Sequence, residues 1–300
     1  MLAGVVVDAL LGEPRRFHPL VGFGRWAQFL EVRANVPGGG SLAVRARGVV
    51  LLVLAIGPWV ALVYGAGAIA GLQDAVAVAA LYFALGHESL RQHALRVHEA
   101  LTAGSLAQAR ARVGYMVSRD TEEMDARAVA TATVESVLEN GNDAVFGTLF
   151  WFLVAGAPGV VLFRLANTMD AMWGYRTPRF LYFGWGAARL DDVLNFIPAR
   201  LTALTYALLG STANALRCWR LQAPAWDSPN AGPVMAAGAG ALKLSLGGGA
   251  WYHGEWEERP PLGLGSPPDA DSIKAALRLV RTGVILWVLI AVAVEVLLHA

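Results

Sequence analysis

The sequence has few of the side chains that soluble enzymes use for thiol and charge chemistry. Its 300 residues include one cysteine, Cys218, and only 16% of the residues are charged. A single cysteine forms no intramolecular disulfide and builds no cysteine-rich zinc site, so the sequence argues against both. Lysine occurs only at Lys243 and Lys274, so arginine must supply most of the fixed positive charge.

Two missing patterns narrow the class of function further. The basic residues form no continuous run and the net charge is only +1, which argues against nucleic acid as a partner. The P-loop pattern GxxxxGK[ST] is absent, which excludes that kind of nucleotide site. The first residues, MLAGVVVDALLG, have no basic region, so we expect that they are not a cleaved signal peptide.

What is present is apolar. Hydrophobic residues make up 56% of the sequence and the mean hydropathy is +0.47. These values predict an all-α, polytopic integral membrane protein, with one membrane-embedded domain over 1–300 and a polar helical catalytic region at the membrane surface. The predicted membrane segments lie near 49–72, 75–87, 144–165, 201–213 and 283–298. The predicted polar regions outside them are 12–35, 88–143, 166–200 and 214–282.

Two of these segments have more than one interpretation. The segment 75–87 is either a second crossing or a helix packed on the first, because its length does not decide the matter. The segment 144–165 is interrupted by Gly156-Ala157-Pro158-Gly159. A proline removes a helix hydrogen bond, so we predict two half-helices or a tight helical hairpin. A hairpin would allow the polar residues before and after it to share one site.

The most acidic stretch is SRDTEEMDARAVATATVESVLENGND, from Ser118 to Asp143. Glu135 and Glu139 are four residues apart, so they lie on one face of a predicted helix, and Asn140 and Asp143 follow near its end. Like charges at this spacing destabilise a helix, so we expect a cation or an arginine partner. The alternative is that these acids form a solvent-exposed acidic face without a partner. For the longer region 87–138 we predict an exposed helical structure.

Two other regions carry side chains suited to anions or metals. Asp191, Asp192 and Asn195 offer oxygen ligands from one helix face, which suits Mg²⁺. The alternative is salt-bridge packing between helices. His18 belongs to GEPRRFHP, where two prolines prevent a continuous helix and the basic side chains could bind an anion or form a basic turn beside the membrane. The arginines suited to binding phosphate are Arg176, Arg189 and Arg200.

Four stretches occur in the order found in one known family: GEPRRFHPLVGFGR, SRDTEEMDARAVATATVESVLENGNDA, FRLANTMDAMWGYRTPRFLYFGWGAARLDDVLNFIPARLTA and SPNAG. From about Leu11 to Arg281 the chain resembles the CobD/CbiB proteins, the membrane-bound adenosylcobinamide-phosphate synthases of cobalamin biosynthesis. Glu13, Ser118, Gly141, Ala144 and Pro233-Val234 differ from the usual residues of that family. We expect these differences to affect loop geometry more than the reaction.

The resemblance implies an ATP-dependent ligase that joins a propionate carboxylate of adenosylcobyric acid to aminopropanol or its phosphate. Because a carboxylate does not condense with an amine unaided, we expect ATP to convert it to an acyl phosphate. The resemblance also implies ATP and Mg²⁺ as cofactors, the lipid bilayer of the inner cell membrane as location, and association with other cobalamin-pathway enzymes. The need for ATP indicates a site that faces the cytoplasm. Alternatives are a non-catalytic signalling or scaffold protein of the same superfamily and a corrinoid transporter. The polar residues cluster outside the predicted spans, which disfavours a transport path.

The resemblance and the chemistry of phosphoryl transfer together suggest roles for these residues. We expect Glu139, Asp143, Asp191 and Asp192 to hold Mg²⁺, Glu135 to act as the base, and Asn140 to position polar groups. The residues expected to bind substrate or phosphate are His18, Arg25, Arg119, Asp120, Asn167, Asp170, Arg176, Arg189, Asn195, Arg200 and Asn230.

Overall fold

The computed structural model describes residues 1–14, 18–36, 38 and 40–299, and these are mostly helical, which confirms the predicted all-α membrane fold. The helices are α1 (Leu2–Leu11), α2 (Pro19–Ala34), α3 (Ser41–Gly67), α4 (Gln73–Ala84), α5 (His87–Thr102), α6 (Leu106–Val113), α7 (Ala126–Asn140), α8 (Gly147–Trp173), α9 (Trp185–Leu209), α10 (Thr212–Gln222), α11 (Ala231–Leu242) and α12 (Ala270–His299). The strands are β1 (Ser245–Gly247), β2 (Ala250–Tyr252), β3 (Glu255–Glu257) and β4 (Pro261–Gly263).

The chain forms two compact units. Unit 1 comprises Met1–Gly86 and Gly147–Asn195, and unit 2 comprises His87–Phe146 and Phe196–Ala300. The three boundaries fall at the start of α5, at the start of α8 and within α9. Each unit therefore combines segments that are distant in sequence.

Three helical segments of the described chain are long and apolar enough to cross a membrane: Ser41–Gly67, Ala126–Trp173 and Ala270–Leu298. They include most or all of the predicted segments 49–72, 144–165 and 283–298. The segment 75–87 is mainly α4, whose 12 residues extend about 18 Å, short of the ~30 Å hydrocarbon core. The segment 201–213 is the end of α9 and the start of α10, with no span of its own.

The long helical segment is broken inside α8. Gly156 has φ 58° and ψ −147°, which is not helical. A Cβ atom on Gly159 would lie 2.7 Å from the backbone oxygen of Trp151, although residues eight apart in a straight helix are separated by about 12 Å. The two halves of α8 therefore fold back on each other, which confirms the predicted break.

The core of unit 1 forms where α2, α3, α8 and the loop before α9 meet. Phe23, Ile56, Phe163, Trp173 and Phe183 are all at least 96% buried in one hydrophobic cluster. Proline at the first position of α2 suits the start of a helix, and the ring nitrogen of His18 accepts the backbone N–H of Leu20.

The core of unit 2 surrounds α7, which is almost completely buried from Val129 to Leu138. The prediction that 87–138 is exposed is therefore wrong for α7, because α5, α6, α11 and α12 pack around it. A π-helical turn at Gly141–Phe146 follows. Gly141 is needed there because a Cβ atom would lie 2.1 Å from the hydroxyl of Tyr206, which donates to the backbone oxygen of Leu138.

The predicted polar region 214–282 contains more regular structure than its glycines suggest. Its α11, AGPVMAAGAGAL, is buried because its small residues allow close packing on α10. Cys218 on α10 is also buried. After α11 the chain forms two small antiparallel pairs, β1 with β4 and β2 with β3. We call residues 245–263 the strap.

The last helix begins earlier than predicted. The predicted membrane segment 283–298 is the second half of a single helix, α12, which begins at Ala270. Gly283 does not interrupt it because its bare backbone lies against the ring of Phe146, where a Cβ atom would be only 2.5 Å away.

Candidate functional site

Unit 1 contains a carboxylate cluster formed by Asp170, Asp191 and Asp192. The end of α8 carries the first of these residues and the start of α9 carries the other two. Asn167 Nδ2 donates to Asp191 Oδ1 at 3.3 Å, and Arg189 Nη1 donates to Asp192 Oδ2 at 2.9 Å. The structure thus brings together residues that are about 20 apart in sequence.

The negative charges of this cluster are only partly balanced. Burial is the main reason that the pKa of Asp191 rises to about 6; the charge of Asp192 adds to the rise, and hydrogen bonds from Asn167 and Asn195 oppose it. Burial also raises the pKa of Asp192, against the charges of Arg189 and Arg176. A bound cation would therefore stabilise the ionised form of both carboxylates.

Gly174 leaves room for the carboxylate of Asp170. A Cβ atom on Gly174 would lie 2.0 Å from Asp170 Oδ1, and the Gly174 N–H donates to the Asp170 backbone oxygen at 2.7 Å. The sequence NTMDAMWG therefore contains both the carboxylate, Asp170, and the glycine that leaves space for it, Gly174.

The donor atoms of the cluster suit Mg²⁺, because they are carboxylate and amide oxygens. Within the described residues, however, no group of three or more His, Cys, Asp or Glu side chains is arranged to hold a metal by itself. Mg²⁺ usually binds one or two carboxylates and completes its shell with water and phosphate oxygens. The residues present fit that mode of binding.

The other predicted residues of unit 1 differ in their surroundings. Asn195 is buried and bonds to Asp191, whereas Arg176 is exposed with its charge near Asp192. Arg25 is exposed on α2. Burial lowers the pKa of His18, helped by the charge of Arg164 and opposed by that of Glu13, so its ring is mainly neutral at pH 7 and caps α2. The neighbouring Arg15 and Arg16 lie outside the described residues.

In unit 2, Glu135 is the centre of a buried ion cluster. Arg119 Nη2 lies 2.6 Å from its Oε2, and Arg259 Nη2 donates to both carboxylate oxygens at 2.9 and 2.8 Å. The backbone N–H of Gly247 donates to Oε1 at 2.7 Å. These contacts occupy both oxygens, so the geometry favours a structural anchor for the strap over the predicted base.

Arg259 is the member of this cluster that sequence reasoning missed. It also donates to the Gly248 backbone oxygen and lies 5.3 Å from the ring of Trp226. The sequence did indicate that Glu135 needs a cationic or arginine partner, but Arg259 lies 124 residues away along the chain. Spacing along a helix does not reveal such a contact.

Glu139 lies one helical turn beyond Glu135 and, unlike Glu135, has no partner among the described residues. Its side chain is half-buried and makes no hydrogen bond or ion pair with any residue that the structure describes. Asn140 donates to the backbone and side-chain oxygens of Ser136, and Asp143 accepts from Asn142. Glu139 is therefore the predicted acid of this helix that remains available for a ligand.

Asp120 has a structural role at the tip of the strap. Its carboxylate accepts the backbone N–H groups of His253 and Gly254 at 3.2 and 2.7 Å. The N-cap of the next helix, α7, is Asp125, whose side chain accepts the N–H of Ala128.

Arg200 and Asn230 form a pair that holds the SPNAG loop. Arg200 Nη1 donates to Asn230 Oδ1 at 2.6 Å and to the Phe196 backbone oxygen, while Nη2 donates to Pro229 O at 2.9 Å. Asn230 is buried just before α11. These contacts give Arg200 a positioning role in unit 2.

The predicted residues thus separate into two groups. The carboxylate cluster belongs to unit 1, and Glu135, Glu139 and Asp143 belong to unit 2. The joint site expected from the sequence stays a prediction.

Comparison with known proteins identifies the family. The family described as CobD/Cbib protein matches residues 1–280. Cobalamin biosynthesis protein CobD of Chromobacterium violaceum is 56% identical, with 99% of this chain and 96% of that protein covered. The proteins of the same name from Stutzerimonas stutzeri and Mycobacterium tuberculosis are 57% and 38% identical, covering 97% and 94% of this chain and 95% and 90% of those proteins.

No solved structure matches the chain. The family match covers most of the sequence, and the motifs that carry the resemblance include α7, the carboxylate cluster and the SPNAG loop. The chain therefore belongs to the CobD/CbiB family of cobalamin biosynthesis proteins.

Proposed function

We propose that this protein is an adenosylcobinamide-phosphate synthase: an ATP-dependent ligase that joins a propionate carboxylate of adenosylcobyric acid to aminopropanol or its phosphate. The observation that carries the proposal is the carboxylate cluster of unit 1, which combines oxygen donors with neighbouring arginines. Membership of a cobalamin biosynthesis family supports the corrinoid substrate.

The reaction needs activation because a carboxylate does not condense with an amine unaided. In the proposed route, a propionate oxygen forms a bond to the γ-phosphorus of ATP and ADP leaves, giving an acyl phosphate. The amine nitrogen then bonds to the acyl carbon, inorganic phosphate leaves, and the ammonium proton passes to a base. Enzymes promote such steps mainly by positioning and by balancing charge.

In unit 1, Asp191 and Asp192 are the proposed Mg²⁺ ligands, with Asp170 beside them. Mg²⁺ would balance the phosphate charge when bound. Arg176 and Arg189 are exposed near the cluster, and Arg189 donates to Asp192, so these two arginines are the proposed partners of the phosphate oxygens.

In unit 2, Glu139 is the proposed proton acceptor in place of Glu135. Its carboxylate has no hydrogen-bonding partner among the described residues, whereas that of Glu135 is fully engaged by two arginines. The alternative role of Glu139 is metal binding, as first expected from the sequence. The Mg²⁺ dependence of turnover in the Glu139→Gln variant would test it. Because the reaction uses ATP, we propose that the active site faces the cytoplasm from the inner membrane.

The decisive experiment incubates purified protein with adenosylcobyric acid, aminopropanol phosphate and Mg·ATP. We expect equal amounts of amide product and ADP. In Asp191→Asn and Asp192→Asn we expect turnover to fall at least about tenfold, which is ~1.4 kcal/mol of transition-state stabilisation. Asp74→Asn, an exposed acid of unit 1 on α4, is the control.

Unaltered corrinoid and no ADP would contradict the ligase proposal and favour a scaffold or transport role. Amide formation with normal turnover in both cluster variants would instead refute the metal assignment alone.

A further inference from the structure

Unit 2 contains an acidic cleft of about 1020 Å³ between the chain before α7 and the strap. Pockets for drug-sized ligands measure roughly 300–1,000 Å³, so this cleft is large enough for an unusually big ligand. One wall is the stretch from Arg119 to Thr131, and the other is formed by Gly247, Gly249–Trp251, Gly254 and Trp256. Asp120 and the Glu135 ion cluster hold the two walls together.

The charge of the lining is negative, with four carboxylates and two arginines. Arg119 is already paired with Glu135, and Arg127 is exposed. Glu122 and Glu123 are exposed and make no hydrogen bond or ion pair within the described part of the chain. The free acceptors of the cleft therefore suit a ligand that is cationic or rich in N–H donors, and they repel a nucleotide triphosphate.

Two tryptophans form an apolar edge of the same cleft. Trp251 and Trp256 are 48% and 50% exposed, and their rings pack edge to face with centroids 5.5 Å apart. Gly249 leaves room for the indole of Trp256, because a Cβ atom there would be 2.1 Å from the ring. Half-exposed aromatic rings held in place in this way are typical of sites for large flat ligands.

We propose that this acidic cleft binds the corrin ring of the corrinoid substrate. This proposal rests on the proposed ligase function and adds the binding site of one of its substrates. The cobalt–corrin core of an adenosylated corrinoid carries a net positive charge, and its rim bears primary amides whose N–H groups donate hydrogen bonds. Glu122 and Glu123 supply the matching acceptors, and Trp251 and Trp256 supply the apolar contact surface.

The test is a binding titration without catalysis. Full-length protein in detergent is titrated with adenosylcobyric acid by calorimetry, with no ATP or amine present. We expect the double variant Glu122→Gln/Glu123→Gln and the single variant Trp251→Ala each to raise the corrinoid Kd about tenfold or more, which corresponds to ~1.4 kcal/mol. All three residues are exposed, so these changes leave the core intact.

The matched control is Glu255→Gln/Glu257→Gln, which removes two exposed acids of the strap that do not line the cleft. We expect its corrinoid Kd to stay within twofold of the wild-type value. The Kd of Mg·ATP, measured separately, should be the same in all variants.

Two results would contradict, respectively, the cleft assignment alone and the proposed function as well. If the wild-type protein binds adenosylcobyric acid but the cleft variants bind it equally well, the cleft assignment is wrong and the proposed function stands. If the wild-type protein does not bind the corrinoid at millimolar concentration, the proposed function fails as well.

Discussion

At the scale of single residues, Glu31 shows how one carboxylate connects distant segments of unit 1. It is buried on α2 and accepts hydrogen bonds from Asn35 and from two nitrogens of Arg179, at 2.9 and 2.8 Å. Burial alone would raise the pKa of Glu31, but these hydrogen bonds and the charge of Arg179 together hold it below its ordinary value. The pair joins α2 to the loop that follows α8.

This lowered pKa predicts a pH-dependent effect of Glu31→Gln. Because the folded chain binds the proton more weakly than the unfolded chain, the pair stabilises the fold above the unfolded pKa of about 4.3 and stops doing so as the pH falls through the lower folded value. We expect the variant to have a lower Tm than wild type at pH 7, by about 2 °C or more. Thermal unfolding between pH 7 and pH 3 should show this difference shrink; a constant difference would contradict the account.

Glu135 is a second residue whose removal has a definite expected effect. Its side chain is 2% exposed and its partners Arg119 and Arg259 are 11% and 12% exposed, so Glu135→Ala leaves two buried cations without their anion. Breaking a buried ion pair in this way costs about 3–5 kcal/mol. We expect a large fall in the free energy of unfolding and faster proteolysis within the strap.

The control for this prediction is Glu99→Ala on α5. Glu99 is exposed and lies in the same unit, so its loss should change stability by less than ~0.5 kcal/mol. Equal effects of Glu99→Ala and Glu135→Ala would show that the ion cluster does not anchor the strap.

At the scale of elements, the break in α8 depends on one glycine. Gly156 has φ 58° and no atom within 4 Å of the position that a Cβ atom would take. Gly156→Ala therefore creates no clash and its cost is backbone strain alone, which is about 1–3 kcal/mol. Chemical unfolding in detergent would measure this loss.

Gly65 provides a matched control because it also has open space around it but lies in α3 with no positive φ. Gly65→Ala should be neutral or stabilising, since alanine is the better helix former. If both variants have the same stability, the hairpin does not depend on the conformation of Gly156.

The elements also show what sequence patterns predict and what they miss. The break at Gly156 was predictable because proline and glycine act on their own backbone. The burial of α7 was not predictable from its own sequence, because α7 is buried by the four helices that surround it. The pattern likewise grouped Asp191 and Asp192 but did not reveal the ion pair of Glu135, whose partner Arg259 is remote in sequence.

At the scale of the whole molecule, the three long apolar helical segments predict how the protein behaves on extraction. An integral protein is held by burial of apolar helix surface in lipid and not by salt-sensitive contacts. We expect the full chain to stay in the membrane fraction after washing with high salt and with alkaline carbonate, and to be released by detergent. Release by either wash would contradict integral insertion.

The burial of the lone cysteine has a practical consequence for experiments on the whole chain. Cys218 is 1% exposed, and burial raises the pKa of its thiol against the opposing charge of Arg217, so little reactive thiolate forms. Because the sequence has no other cysteine, the folded protein gives almost no background with maleimide reagents. A cysteine introduced on the strap or beside α7 would therefore report alone on what covers it, with no native cysteine to remove first.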